Sequence, residues 1–183
     1  VDELSLYVLD IAMNSVRAGA SRILILLEED EETLKFSVTD NGCGMTKEQV
    51  EKIKDPFFTT RKTRKVGLGI PFLTMLAEGT GGYVNLTSTP AAEGEHHGTK
   101  TEALFYRHHL DFIPLGDMTE TVKTLIQGSP DIDFVYRHKT PIGEVSLDTE
   151  ELRAVLGDIS LSEPEILAWI GGNLTEQYQN LRR

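Results

Sequence analysis

The segment that decides the fold reads Leu34-Lys35-Phe36-Ser37-Val38-Thr39-Asp40-Asn41-Gly42-Cys43-Gly44-Met45. Leu34, Phe36 and Val38 alternate with Lys35, Ser37 and Thr39, the two-residue period of a strand with one face in a core. Asp40 stands where that strand runs out. An Asn-Gly pair alone is an ordinary turn, but Gly42 and Gly44 together are more glycine than a hairpin needs. A carboxylate at a strand tip can accept a hydrogen bond from a purine amino group, and missing side chains let a planar base approach the backbone.

The flanking segments supply what else a nucleotide requires. Upstream, Leu4, Val8, Ile11, Ala12 and Val16 fall at helical spacing over Glu3 to Ala18, with Gly19 as the stop. Asp10 and Asn14 lie one turn apart on that helix and share a face. The plain alternative is a polar pair on the solvent side of an amphipathic helix. The combination is more specific, because an amide oxygen is a hard ligand for Mg²⁺ and a nearby carboxylate can orient or deprotonate a metal-bound water. Downstream, Arg61, Lys62, Arg64 and Lys65 precede Gly67-Leu68-Gly69, which opens a helix. A glycine-rich helix start attracts anions through its free N–H groups. Each cation about 4 Å from a phosphate charge contributes roughly 4 kcal/mol at an effective dielectric near 20. The threonines and glycines around them suggest a lid.

Composition sets the bounds. The chain has 183 residues, 39% hydrophobic and 26% charged, ordinary for a globular protein. A formal charge of -11 argues against non-specific nucleic-acid binding, since phosphate backbones are held by Lys and Arg. The single cysteine, Cys43, excludes an intrachain disulfide and fits a reducing compartment. It reads as a small buried filler, because no base stands near it in sequence. No apolar run approaches a membrane span, and the amino end is a helix pattern rather than a signal peptide. The expected location is cytoplasmic, with neither membrane nor nucleic acid as partner. The chain opens on Val1, which leaves room for an upstream piece.

Arg22 to Leu27 is an apolar run, read as a buried strand, and the acids Glu28 to Glu32 read as a solvated hairpin turn. Lys47 to Lys54 is a short helix closed by Asp55-Pro56, and Ile70 to Glu78 a second, apolar one. Tyr83 to Thr87 and Thr99 to Tyr106 are strands. Past Leu110 the pattern changes. Asp117 with Glu120, Asp148 with Glu151, and Ser162 with Glu165 each have capping-box spacing ahead of a helical stretch. With candidate strands Ile132 to Arg137 and Gly143 to Leu147, the tail reads α-β-β-α-α, either docked on the first domain or a module of its own. Ile166, Trp169 and Ile170 fall at helical spacing and are expected in its core. Asp148, Glu150, Glu151, Asp158, Glu163 and Glu165 against Arg153 speak against a DNA-reading helix pair.

Four segments in order carry a resemblance. Leu9-Asp10-Ile11-Ala12-Met13-Asn14-Ser15, Asp40-Asn41-Gly42-Cys43-Gly44-Met45, Gly67-Leu68-Gly69-Ile70 and Gly98-Thr99 resemble the N, G1, G2 and G3 boxes of the gyrase/Hsp90/histidine-kinase/MutL ATPase superfamily, over about residues 4 to 106. Asp55-Pro56-Phe57-Phe58-Thr59-Thr60-Arg61-Lys62 is similar to the lid of sensor histidine kinases and of serine-kinase anti-sigma factors, whereas Asn14 to Ile25 is more like the MutL branch. The resemblance implies an α+β fold, a two-layer α/β sandwich of the Bergerat type with a mixed sheet. It places an ATP-binding domain at 1–107 and leaves 108–183 as an α+β extension of unknown role. It further implies that Asn14 coordinates Mg²⁺, Asp40 reads the adenine amino group, and Gly42 and Gly44 line the base pocket. Thr99 would assist Asp40 through water. Gly67, Leu68 and Gly69 would meet the phosphates of ATP, helped by Lys62 or a neighbour such as Thr60.

Two departures shape the functional expectation. Many hydrolytic members of the superfamily carry glutamate four residues before the N-box asparagine; here it is Asp10, shorter by one carbon–carbon bond, roughly 1.5 Å. A misplacement near 1 Å can cost about 10²-fold in a positioned reaction, so Asp10 is a catalytic candidate from which only slow hydrolysis is expected. Histidine kinases also need a two-helix phosphoacceptor module, and this chain begins inside the N-box helix. His109 and Pro114 have acceptor-box spacing, but Leu110 stands where those boxes carry an acid. His96-His97 and His108-His109 are not expected to bind metal, since adjacent strand residues face opposite ways. The leading expectation is phosphate transfer from ATP to a separate protein partner. Its rivals are an ATP-gated interaction module with little turnover, and a degenerate fold that binds nothing.

Overall fold

A computed structural model describes residues 2–55 and 69–182. In chain order the elements are α1 (Leu4–Arg17), β1 (Arg22–Glu29), β2 (Thr33–Asp40), α2 (Lys47–Lys54), α3 (Gly69–Gly79), β3 (Tyr83–Thr89) and β4 (Gly98–Tyr106). The tail adds α4 (Met118–Gly128), β5 (Asp133–Thr140), β6 (Gly143–Asp148), α5 (Thr149–Leu156) and α6 (Pro164–Leu181). The strands form one six-stranded sheet in the order β3-β4-β2-β1-β5-β6. All pairings are antiparallel except β1 with β5. The fold is the α+β arrangement on a mixed sheet that the boxes imply.

Strand alternation places the core on one face. Ile25 pairs with Val38 and with Tyr136, Leu27 with Phe36 and with His138, and Phe36 with Ala103. All of these are buried. Leu4, Val8, Ile11 and Ala12 of α1, Leu73 and Ala77 of α3, Val122 and Leu125 of α4, and Ile170 and Leu174 of α6 join them in one core. Fully burying each large side chain stabilises by roughly 1.5–3 kcal/mol.

The tail is built onto this sheet. Asp133 N–H donates to Ser21 O at 2.9 Å, starting the parallel ladder along β1. A parallel neighbour needs a crossover of a dozen or more residues, and α4 lies in it. Of the docked and free-standing alternatives for residues 108–183, the pairing is that of the docked form.

Chain punctuation is partly as the sequence suggests. Gly19, at φ 76°, ends α1 in the left-handed region, with its N–H on Val16 O and that of Ala20 on Ser15 O. Asp117 Oδ1 accepts from Glu120 N–H at 3.0 Å, whereas Asp148 Oδ1 accepts from Glu150 rather than Glu151. Ser162 does not cap α6. Pro164, with its fixed φ, starts that helix after Glu163, and Ser162 N–H turns to Ser160 Oγ. The acidic turn is shorter than read. β1 runs on to Glu29, and Asp30 Oδ1 closes the hairpin on the N–H groups of Glu32 and Thr33.

Candidate functional site

The site lies between α1, the tip of β2, the start of β4 and the head of α3. Asp40 is the last residue of β2. Its Oδ1 accepts from Gly42 N–H at 2.8 Å and Thr99 N–H at 3.2 Å, and its Oδ2 accepts from Ser15 Oγ at 2.5 Å. Donors from a loop, a strand and a helix therefore fix one carboxylate. The loop beyond is pinned separately. Asn41 Oδ1 accepts from Ser21 and Arg22 N–H at 2.9 and 3.0 Å, and its Nδ2 donates to Ser21 Oγ at 2.9 Å.

The two loop glycines are required by close approach. A Cβ at residue 42 would lie 2.8 Å from the Cβ of Ala18. One at residue 44, where φ is 69°, would come within 2.0 Å of Thr89 O. On the far side, Ser88 Oγ and Thr99 Oγ1 are 2.7 Å apart, Met45 N–H donates to Ser88 Oγ, and His97 Nδ1 lies 2.5 Å from Gly42 O.

These elements enclose a cavity of about 220 Å³. Asn14, Asp40, Gly44 and Thr99 line it, with apolar walls from Ile11, Met45, Ile53, Ile70 and Leu86. Apolar walls around a fixed acceptor suit a planar base bearing an amino group. Gly42 is buried and is not among the residues lining the cavity; its N–H donates to Asp40 Oδ1. Asp10 sits one turn earlier on α1, against the first residue of α3. A Cβ on Gly69 would come within 1.9 Å of Asp10 Oδ2. Burial pushes the Asp10 carboxyl above its usual range, and Arg17 partly offsets this. Thr60, Lys62, Gly67 and Leu68 lie outside the described residues.

Two readings of single residues need correction. Cys43 is exposed and lines the cavity, because its loop is held by its backbone, N–H to Ala18 O and O from Ala91 N–H, and not by its side chain. Trp169 is half exposed while Ile170 beside it is fully buried; the helix turns its buried stripe through Leu167, Ile170 and Leu174. Ser15, Asn41 and Ser88 have no role assigned from sequence, and His97 is weighed there only as a metal ligand. Ser15 and Asn41 at least adjoin Asn14 and Asp40, and Ser88 faces Thr99 across the β3–β4 ladder.

Among the described residues no three His, Cys, Asp or Glu side chains gather to hold a metal. His108 Nε2 lies 2.7 Å from Glu31 O, and His109 sits in a turn where its Nδ1 accepts from Asp111 N–H. No described helix is long and apolar enough to cross a membrane.

The family model described as histidine kinase-, DNA gyrase B-, and HSP90-like ATPase matches residues 1–109. The chain is 33% identical over 89 residues to the sensor histidine kinase ZraS of Escherichia coli O157:H7, covering 48% of this chain and 19% of that protein. It is 31% identical over 85 residues to sporulation kinase B of Bacillus subtilis (strain 168), covering 45% and 20%. The match thus spans about a fifth of the length of these relatives. Among solved structures, the Aquifex aeolicus MutL ATPase domain complexed with ADP superposes with a TM-score of 0.54 at 16% identity, over 85% of this chain and 69% of that one. The N-terminal domain of a DNA repair protein gives 0.54 at 19% identity, over 81% and 52%. At these identities the likeness is one of fold, and at 85% coverage it runs past residue 109 into the tail.

Proposed function

The chain belongs to the histidine kinase-, DNA gyrase B-, and HSP90-like ATPase family, and from that premise we propose that it binds Mg-ATP and passes phosphate to a side chain of a separate protein. The observation that carries the reading is the Asp40 carboxylate, held by three protein donors at the floor of an apolar cavity. Such an acceptor favours a base with an amino group at that point over one with a carbonyl, because mispaired buried polar groups are costly.

Asn14 offers an amide oxygen at the cavity rim, a donor type suited to Mg²⁺. That oxygen now accepts from Arg17 Nη1 at 2.8 Å, so an ion there would share it with, or take it from, a guanidinium. A bound magnesium ion supplies charge neutralisation for the transferred phosphoryl group. Asp10, one turn away, packs against Gly69 and is one carbon shorter than a glutamate, which limits how far it can reach to activate water. Slow hydrolysis conserves the phosphate for an acceptor. The identity to sensor and sporulation kinases supports the same reading.

A second reading has its own support. The fold likeness to a MutL ATPase domain extends into the tail, so ATP could close the site to grip a partner with little turnover. Labelled ATP, incubated with the chain and the products of neighbouring genes, separates the two. Transfer of label to a second protein is expected. Nucleotide-dependent association without label would favour the gated module.

A further inference from the structure

The last two helices carry an apolar face that the fold leaves uncovered. Trp169 of α6 is 52% exposed and Val155 of α5 is 85% exposed, and both line one groove of about 480 Å³ with Leu152 and Val135. Scattered exposed apolar residues are ordinary. Two that flank one groove, one of them a tryptophan, have the make-up of an interface anchor.

Charge indicates what fits. Glu151 stands one turn before Val155, and Glu165 one turn before Trp169, so each apolar side chain has an acid on the same helix face. Both acids are exposed, and neither side chain has an ion-pair or hydrogen-bond partner among the described residues. Asp148 adds a carboxylate to the groove wall, while Arg137 in the same wall is bound to Glu144 at 2.5 Å. A second copy of this face would bring like charges together, and anionic lipid or nucleic acid would be repelled. Strand addition is blocked as well. β6 is the edge of the sheet, but Gln177 caps its centre, with Oε1 accepting from Ser146 N–H and Nε2 donating to Ser146 O, each at 2.9 Å.

We propose that the groove between α5 and α6 takes a basic amphipathic helix of another protein, its apolar stripe on Trp169 and Val155 and its cations beside Glu151 and Glu165. The proposal stands apart from the nucleotide site.

Trp169 is the chain's only tryptophan, so its own emission reports occupancy. The probe is a synthetic Leu/Lys amphipathic helix, with the same peptide carrying Glu for Lys as control. Saturable one-to-one binding of the Lys peptide is expected, with a blue shift that weakens in high salt and none with the Glu peptide. The double variant Glu151→Lys/Glu165→Lys should lose about tenfold in affinity for the Lys peptide and begin to bind the Glu peptide. An unchanged melting temperature shows that it is folded. Absence of saturable binding, equal binding of both peptides, or indifference to the charge reversal would overturn the proposal. So would a concentration-dependent shift of the protein alone, which would mean that a second copy covers the face.

Discussion

Ser15 Oγ donates to Asp40 Oδ2 at 2.5 Å, joining α1 to the tip of β2. With Gly42 and Thr99 on the other oxygen, the bond leaves the carboxylate no rotation. A preorganised acceptor loses less on binding than a mobile one. A hydrogen bond to a charged group is worth about 1.5–3 kcal/mol, of which binding registers a part. Ser15→Ala should therefore weaken Mg-ATP binding about tenfold in calorimetry. An unchanged Kd would mean that the two backbone donors suffice.

Asp10 and Gly69 should be energetically coupled. A methyl group at 69 meets the Asp10 carboxylate, and overpacking costs about 1–3 kcal/mol. Alanine in a helix gains up to about 1 kcal/mol over glycine. Gly69→Ala should thus destabilise the chain by about 1 kcal/mol in the native background and stabilise it by a similar amount alongside Asp10→Ala. Denaturant melts of the four variants check this. Equal effects in both backgrounds would refute the contact.

The raised pKa of Asp10 makes a prediction about pH. Its folded value lies above the ordinary 3.8, so the folded chain holds the proton more tightly than the unfolded one. The stability this confers is complete below pH 3.8 and is lost as pH rises through the folded value. Asp10→Asn should stabilise the chain above that window and leave it unchanged in acid. Urea melts across a pH series would show the two curves converging at low pH. Parallel curves would contradict the assignment.

Glu29 should behave oppositely. His138 donates to its carboxylate and holds its pKa below the usual 4.5. His138 Nδ1 in turn lies 2.8 Å from Tyr178 Oη, which lies 2.6 Å from Tyr136 Oη. Burial pushes the Tyr178 phenol up to about 12. The contribution of Glu29 is present above pH 4.5 and disappears as pH falls through its folded value. Glu29→Gln should cost about 1–3 kcal/mol at neutral pH, with the difference closing in acid. A constant difference would rule out the hydrogen bond to the ionised carboxylate as its origin.

Local chemistry was legible in the sequence; long-range pairing was not. The period of Leu34, Phe36 and Val38 gave β2 its face, and the i,i+4 spacing put Asp10 and Asn14 on one side of α1. The tail strands also show in their own residues. Their parallel docking on β1 does not, because no local signal says which strand edge a crossover will reach. Hence Glu29, which reads as part of a solvated acidic turn, is the partner of a buried histidine contributed 109 residues later. Trp169 misleads for a related reason. Helical spacing identifies a stripe, but a tryptophan one residue off the buried line of Ile170 is left at the surface. Cys43 is exposed because backbone bonds alone already hold its loop.

Titration calorimetry of the chain with Mg-ATP, repeated on Asp40→Asn and with Mg-GTP, tests the central claim most directly. The account predicts one site for ATP, its loss in Asp40→Asn, and no comparable binding of GTP. Undiminished ATP binding by Asp40→Asn, or equal affinity for both nucleotides, would contradict it.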